Sequence, residues 1–163
     1  MASTLPIPIE FRLPEGWLPG PPDDLGMPDA AFVALHPASR DEDFAAYITV
    51  SGHLRHDDVA IRDIADDVFA PMRQFAEVAE ISKEIETGTE RAPGVTRLAE
   101  MTVRMNDHRR DLMQCQVFLT FPDVDDARKR VIMQLMLTAT PEQMRQLGGD
   151  FEQFVESIEP QQE

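Results

Sequence analysis

With 163 residues the chain is long enough for one domain with a sizeable core and too short for two ordinary ones. Thirty acidic residues against fifteen basic ones leave a formal charge of −15. That balance excludes a nucleic-acid or anionic-membrane surface, because phosphate binding needs a basic footprint.

A single cysteine, Cys115, cannot form an intramolecular disulfide, so the fold needs no oxidising compartment. Residues 1–8 carry no basic n-region, long apolar run or lipid-attachment cysteine, and no stretch approaches a membrane span. A cytoplasmic protein without membrane insertion is expected. Only Lys83 and Lys129 are lysines, and this Arg-heavy usage fits a GC-rich bacterial source. One domain over 1–163 is expected, with 1–6 and 160–163 loose.

Residues 7–13 read as a short strand that turns at Pro14-Glu15-Gly16-Trp17 into a loop through Pro28, where the density of Pro and Gly argues against regular pairing. Residues 30–35 and 44–51 read as two strands joined by the polar connection 36–43. From Asp57, a candidate N-cap, the period becomes helical: Ile61, Ile64, Ala65, Val68, Phe69 and Met72 fall on one apolar stripe that should cover a sheet. Residues 76–87 alternate less cleanly and suit a strand at an edge. Three consecutive strands follow at 95–105, 112–121 and 130–138. The last helix starts at Thr140, with Pro141 at its first position and Gln143 completing a capping box. Its stripe is Met144, Leu147, Phe151, Phe154, Val155 and Ile158.

Candidate chemistry is sparse. His53 and His56, followed by Asp57 and Asp58, are the only close cluster with metal-ligand residue types, and no third histidine or cysteine supports it. Cys115 alternates with Met113, Val117 and Leu119, which makes it a core residue with a raised pKa rather than a nucleophile. Nucleophile-elbow and phosphate-loop patterns are absent, and Gly148-Gly149 inside a helical pattern reads as a kink or close packing. Acid–base catalysis needs a carboxyl in a desolvating cleft, and the paired acids lie in loops or on a polar helix face. No enzyme activity, cofactor or metal is expected.

The sheet itself carries the more specific signal. Strand alternation separates Met113, Cys115, Val117, Leu119 and Phe121 from Leu112, Gln114, Gln116, Phe118 and Thr120, and Val131, Met133, Leu135 and Leu137 from Ile132, Gln134, Met136 and Thr138. The first of each pair of sets belongs to the core. The second builds a face of large apolar groups interleaved with amides and hydroxyls, which Leu98, Thr96 and Thr102 could extend. Such a face suits a protein partner, with Leu98, Leu112, Gln114, Gln116, Phe118, Ile132, Gln134 and Met136 as candidate contacts. The other reading is that a loop or helix of the same chain covers it.

The order of elements, the opening Ile9-Glu10-Phe11-Arg12-Leu13-Pro14-Glu15-Gly16-Trp17, and the closing run from Leu137 through Thr140-Pro141-Glu142-Gln143 to Ser157-Ile158 together resemble the PsbP-like superfamily. Within it the chain is similar to the bacterial DcrB-like and Eag-type proteins. The resemblance implies an α+β fold: a PsbP-like α/β/α sandwich with a mainly antiparallel sheet of about six to seven strands and two main helices, in the order βββ-α-ββββ-α. It also implies a non-enzymatic binding role. Eag-type members are cytoplasmic, often dimeric chaperones that shield apolar transmembrane segments of secreted toxins.

The leading expectation is therefore an adaptor or chaperone-like protein that holds an apolar segment of a protein partner, such as a secreted effector, and can form a homodimer. The alternatives are an immunity or regulatory protein that masks a partner through its acidic surface, and a small-molecule carrier. Salt separates the first two, since screening weakens exposed charge pairs and leaves apolar burial intact.

Overall fold

The structure, a computed structural model, describes residues 5–160 other than 26, 28, 41–43, 106, 124 and 127. Alternation along the last three long segments yields β6 (Pro93–Met105), β7 (His108–Pro122) and β8 (Lys129–Ala139), paired antiparallel in chain order. Upstream lie β1 (Ile9–Glu10), β2 (Leu18–Gly20), β3 (Phe32–Leu35), β4 (Tyr47–His56) and β5 (Val78–Gly88). Seven of these strands form one antiparallel sheet in the order β2-β3-β4-β8-β7-β6-β5. The two β-connections that leave this meander carry the helices: α1 (Ile61–Phe69) and α2 (Met72–Phe75) join β4 to β5, and α3 (Pro141–Glu156) follows β8.

These elements make the PsbP-like α/β/α sandwich. On one face α3 packs over β8 and β7, with Leu147, Phe151 and Phe154 against Val131, Met133, Leu135 and Leu137. On the other face α1 lays Ile61, Ile64 and Ala65 over Val95, Phe118, Ile132 and Met136. Fully burying each such side chain is worth about 1.5–3 kcal/mol. The capping box expected at Thr140 is present: its Oγ1 accepts from Gln143 N at 3.2 Å, and Gln143 Oε1 accepts from Thr140 N at 2.9 Å. Gln143 Nε2 also donates to the carbonyls of Ser39 and Phe44, tying the helix start to the β3–β4 connection.

Several local expectations need correction. Residues 7–13 do not join the main sheet; only Ile9–Glu10 is strand, paired with the two-residue β9 (Glu159–Pro160) as a separate ribbon. The Pro-rich loop contains β2, and Pro19 is tolerated because β2 is an edge strand that can lack a donor on its outer side. The second and third strands start later than residues 30 and 44, and β4 runs on to His56.

Asp57 is not the cap of α1, since the helix begins after Ala60 without a side-chain cap. The helical stripe is broken at Pro71, which cannot occupy a helix interior, and Met72 falls in α2. Around Gly148 and Gly149 nothing lies within 4 Å of where a Cβ would stand, so they do not mark close packing. The expected loop residues 41–43, 106 and 124 lie outside the described residues, as do the ends 1–4 and 161–163.

Candidate partner-binding surface

Cross-strand register assigns each residue to a face. Gln114 sits opposite Thr138, Gln116 opposite Met136 and Arg97, and Phe118 opposite Gln134 and Val95. The amide-rich face is therefore the one under α1 and α2. Leu112, Gln114, Gln116, Phe118, Ile132 and Met136 are buried there, and Gln134 is half-buried. The expectation of an open face at these residues is corrected: the chain's own helices occupy it, because α1 has an apolar stripe that needs this floor.

Within this layer the amides serve one another. Gln116 Nε2 donates to Gln114 Oε1 at 2.7 Å, and Gln114 Nε2 donates to Thr138 Oγ1 at 2.9 Å. Tyr47 joins at the same end, its phenol pKa pushed up by burial and held back by its hydrogen bond to Thr138. Buried arginines fasten the helix from below. Arg97 donates from Nε to Glu84 at 2.6 Å and from Nη2 to Asp66 on α1. Arg130 Nη2 donates to Asp57 Oδ1 at 2.9 Å and to the Val59 carbonyl at 2.6 Å, which fixes the approach to α1. Asp57 also accepts from Arg55, and these hydrogen bonds, Arg55 first and Arg130 next, hold its carboxyl at about 2.

Leu98 is the exception among the eight candidates. Its partner across β7 is Cys115, and Thr96 pairs Val117, so both stand on the α3 side and not with the amides. The one-residue error reverses a whole strand, since side chains alternate with period two.

Helix α3 makes its main contacts with β8 and β7, and touches β6 and β5 weakly at most. This leaves an open quadrant of sheet with rows Val78–Thr102–Asp111, Glu80–Glu100–Met113, Lys83–Leu98–Cys115 and Ile85–Thr96–Val117. Val78 and Ile85 are each 54% exposed and Leu98 is half-buried. A β-bulge between Ile81 and Lys83 keeps Val78 and Ile85 on the same side despite their odd spacing. Alternation alone could not place these two residues without the bulge, which is why the sequence reading missed them.

Other candidates are dispersed. His53 lies mid-strand opposite Ile132 and His56 opposite Lys129, and among the described residues no three His, Cys, Asp or Glu groups come together as a metal site. Cys115 is partly buried; burial first, and the nearby Glu152 second, push its thiol up to about 11. Among the described residues no helix is long and apolar enough to cross a membrane.

The fold is that of PsbP-like proteins, and the chain is similar in structure to three solved proteins. LpqN, involved in cell envelope biogenesis of Mycobacterium tuberculosis, matches with a TM-score of 0.66 at 12% identity over 95% of this chain and 86% of LpqN. The cyanobacterial PsbP of Synechocystis matches with a TM-score of 0.58 at 12% identity over 94% of this chain and 86% of that protein. A Pseudomonas aeruginosa protein of unknown function matches with a TM-score of 0.56 at 17% identity over 80% of this chain and 83% of its own. No family model matches the sequence, and no curated protein matches it either.

Proposed function

We propose that the protein is a non-enzymatic, cytoplasmic binding protein, an adaptor or chaperone-like domain that holds an apolar segment of a protein partner on the open quadrant of its sheet. The observation that carries this reading is the exposure of Ile85 beside half-buried Leu98 on one sheet face, with Val78 exposed farther along it and α3 centred on β8 and β7. Exposed apolar side chains gathered on one face mark an interaction surface, whereas scattered ones do not.

The resemblance to Eag-type proteins favours a partner segment destined for a membrane or for export. Candidate acids and bases are spread over different elements or already engaged in ion pairs, which weighs against catalysis.

The test uses an apolar synthetic peptide and three proteins: wild type, Ile85→Glu/Leu98→Glu, and Asp67→Lys as a charge control on exposed α1 surface. Wild type and the control should bind, and the double variant should not, with its thermal transition retained. Binding should persist when salt is raised from about 0.1 M to about 1 M, because screening acts on charge and not on apolar burial. Equal binding by the double variant would remove the quadrant from consideration, and steep loss with salt would favour the acidic masking role.

A further inference from the structure

The open quadrant is polarised along its length. At the end beside the start of α3, Glu80 of β5 stands directly opposite Glu100 of β6, with Asp111 of β7 in the next row. Like charges directly opposite one another across a sheet repel. Elsewhere the acids of this region are neutralised: Glu77 by Arg104 and Arg109, Glu84 by Arg62 and Arg97, and Glu86 by Arg62. Among the described residues neither Glu80 nor Glu100 has an ion-pair partner, and Asp111 accepts only from the Thr102 hydroxyl, at 3.0 Å. The three carboxylates line a pocket of about 250 Å³ whose apolar walls include Val78, Met113 and Pro141.

Beyond the pocket the charge falls away. The rows toward the far end hold Leu98, Cys115, Thr96 and Ile85, with Lys83 the single cation. The flank of α3 that borders them carries Met144, Gly148 and Glu152 at helical spacing of four. Gly148 offers no side chain there, and the space where its Cβ would point is empty to 4 Å. The result is a trough, apolar along Leu98, Cys115 and Ile85 and edged by Lys83 and Glu152, that ends in an anionic pocket.

Resting on the function proposed above, we infer that the occupant is an apolar segment of another protein that bears Lys or Arg at one end, its cation seated among Glu80, Glu100 and Asp111 and its apolar side chains along Leu98 and Ile85. Charge selects this occupant. A second copy of the chain would bring another formal −15 to the same carboxylates, and an anionic lipid surface would be repelled by them. A cationic end flanking an apolar run instead relieves the Glu80–Glu100 repulsion and is of a size the pocket accepts.

Three synthetic peptides with one apolar core test the inference, ending in a Lys pair, a Ser pair or a Glu pair, titrated calorimetrically against the full chain. Wild type should bind the Lys peptide about tenfold tighter than the Ser peptide and the Glu peptide more weakly still. In Glu80→Gln/Glu100→Gln the preference should shrink to the small part that Asp111 alone supports, and high salt should shrink it likewise in wild type.

The double variant should also melt higher than wild type, because removing the repulsion stabilises the free protein; this shows that lost preference is not lost folding. A second variant, Gly148→Leu, should keep its fold and lose all three peptides by filling the trough. Equal affinity for Lys and Ser peptides would overturn the inference and leave the binding function standing. Failure of every peptide to bind would remove both.

Discussion

Trp17 Nε1 donates a 3.0 Å hydrogen bond to Asp150 Oδ2 across most of the chain, joining the opening loop to the middle of α3. Trp17 is 4% exposed, its ring edge-on to His36 at 5.0 Å, and its position depends on Gly16, whose φ of +95° makes the turn. A side chain on Gly16 would also meet His36 Nε2 at 3.0 Å. The Pro-Glu-Gly-Trp segment is therefore a staple between loop and helix. Trp17→Phe should keep the packing and lose the polar tie, costing about 1 kcal/mol, whereas Trp17→Ala should cost about 3–5 kcal/mol. Urea unfolding of the two variants measures the difference.

Much of this architecture is legible in the sequence. The alternation of 112–121 and 130–138 and the Thr140 capping box are strong local signals, and both elements form where those signals place them. The short strands were harder. Strand β2 is held by β3 alone around a proline, and β1 by β9 from the other end of the chain, so neither has a local pattern. Which helix covers which face is likewise set by register between distant strands. Nothing near Leu98 in sequence says that its neighbour is Cys115 and not Gln116, so its face is not legible locally. The amide face is legible from its residue types, but uncharged amides suit an interior polar ladder as well as a docking surface.

Arg97 is 4% exposed and is shared between Glu84 of the edge strand and Asp66 of α1. Its removal leaves half-buried Glu84 with Arg62 as its remaining cation, while Asp66 can turn to water. Arg97→Ala should therefore cost about 2–3 kcal/mol, below the range for a wholly enclosed pair. Arg97→Met, which retains the apolar stem, should cost less. Hydrogen exchange should show the loss concentrated in α1 and β5.

Asp57 gives the junction before α1 an acid limit. Its carboxyl titrates at about 2 in the fold against 3.8 for the free group, through hydrogen bonds from Arg55 and Arg130. A depressed carboxylate contributes stability that is present above the unfolded value and is lost as pH falls through the folded one. Unfolding free energy should thus decline between pH 3.8 and about 2 in part through this group. In Asp57→Asn that part of the slope should be absent.

Cys115 has the opposite sign at alkaline pH. Burial raises its thiol from 9.0 to about 11, so its contribution is complete below the unfolded value and declines as pH rises through the folded one. Thiol reagents should react slowly at neutral pH and faster as pH approaches 11. Cys115→Ala should cost about 1 kcal/mol and retain peptide binding. Loss of binding in a folded Cys115→Ala protein would show that the thiol, in the row with Leu98, contributes to the binding surface beyond its packing.

Self-association is the last expectation. Strand β5 is the long free edge of the sheet, and Phe75, separated from it by Ala76 and Glu77, is 85% exposed at the end of α2. Edge strands are guarded against pairing by charge and bulges, and β5 carries both in Glu80, Lys83, Glu84 and Glu86 and in its bulge near Ser82. A homodimer at about micromolar concentration would have to bury Phe75 in a largely apolar contact and overcome repulsion between two copies of charge −15. Raising salt should then tighten the dimer, because screening removes the repulsion and leaves the apolar contact unaffected. Phe75→Glu should yield a monomer with an unchanged thermal transition. Sedimentation equilibrium at low and high ionic strength makes the comparison, and a monomeric mass for wild type under both conditions would reject the dimer.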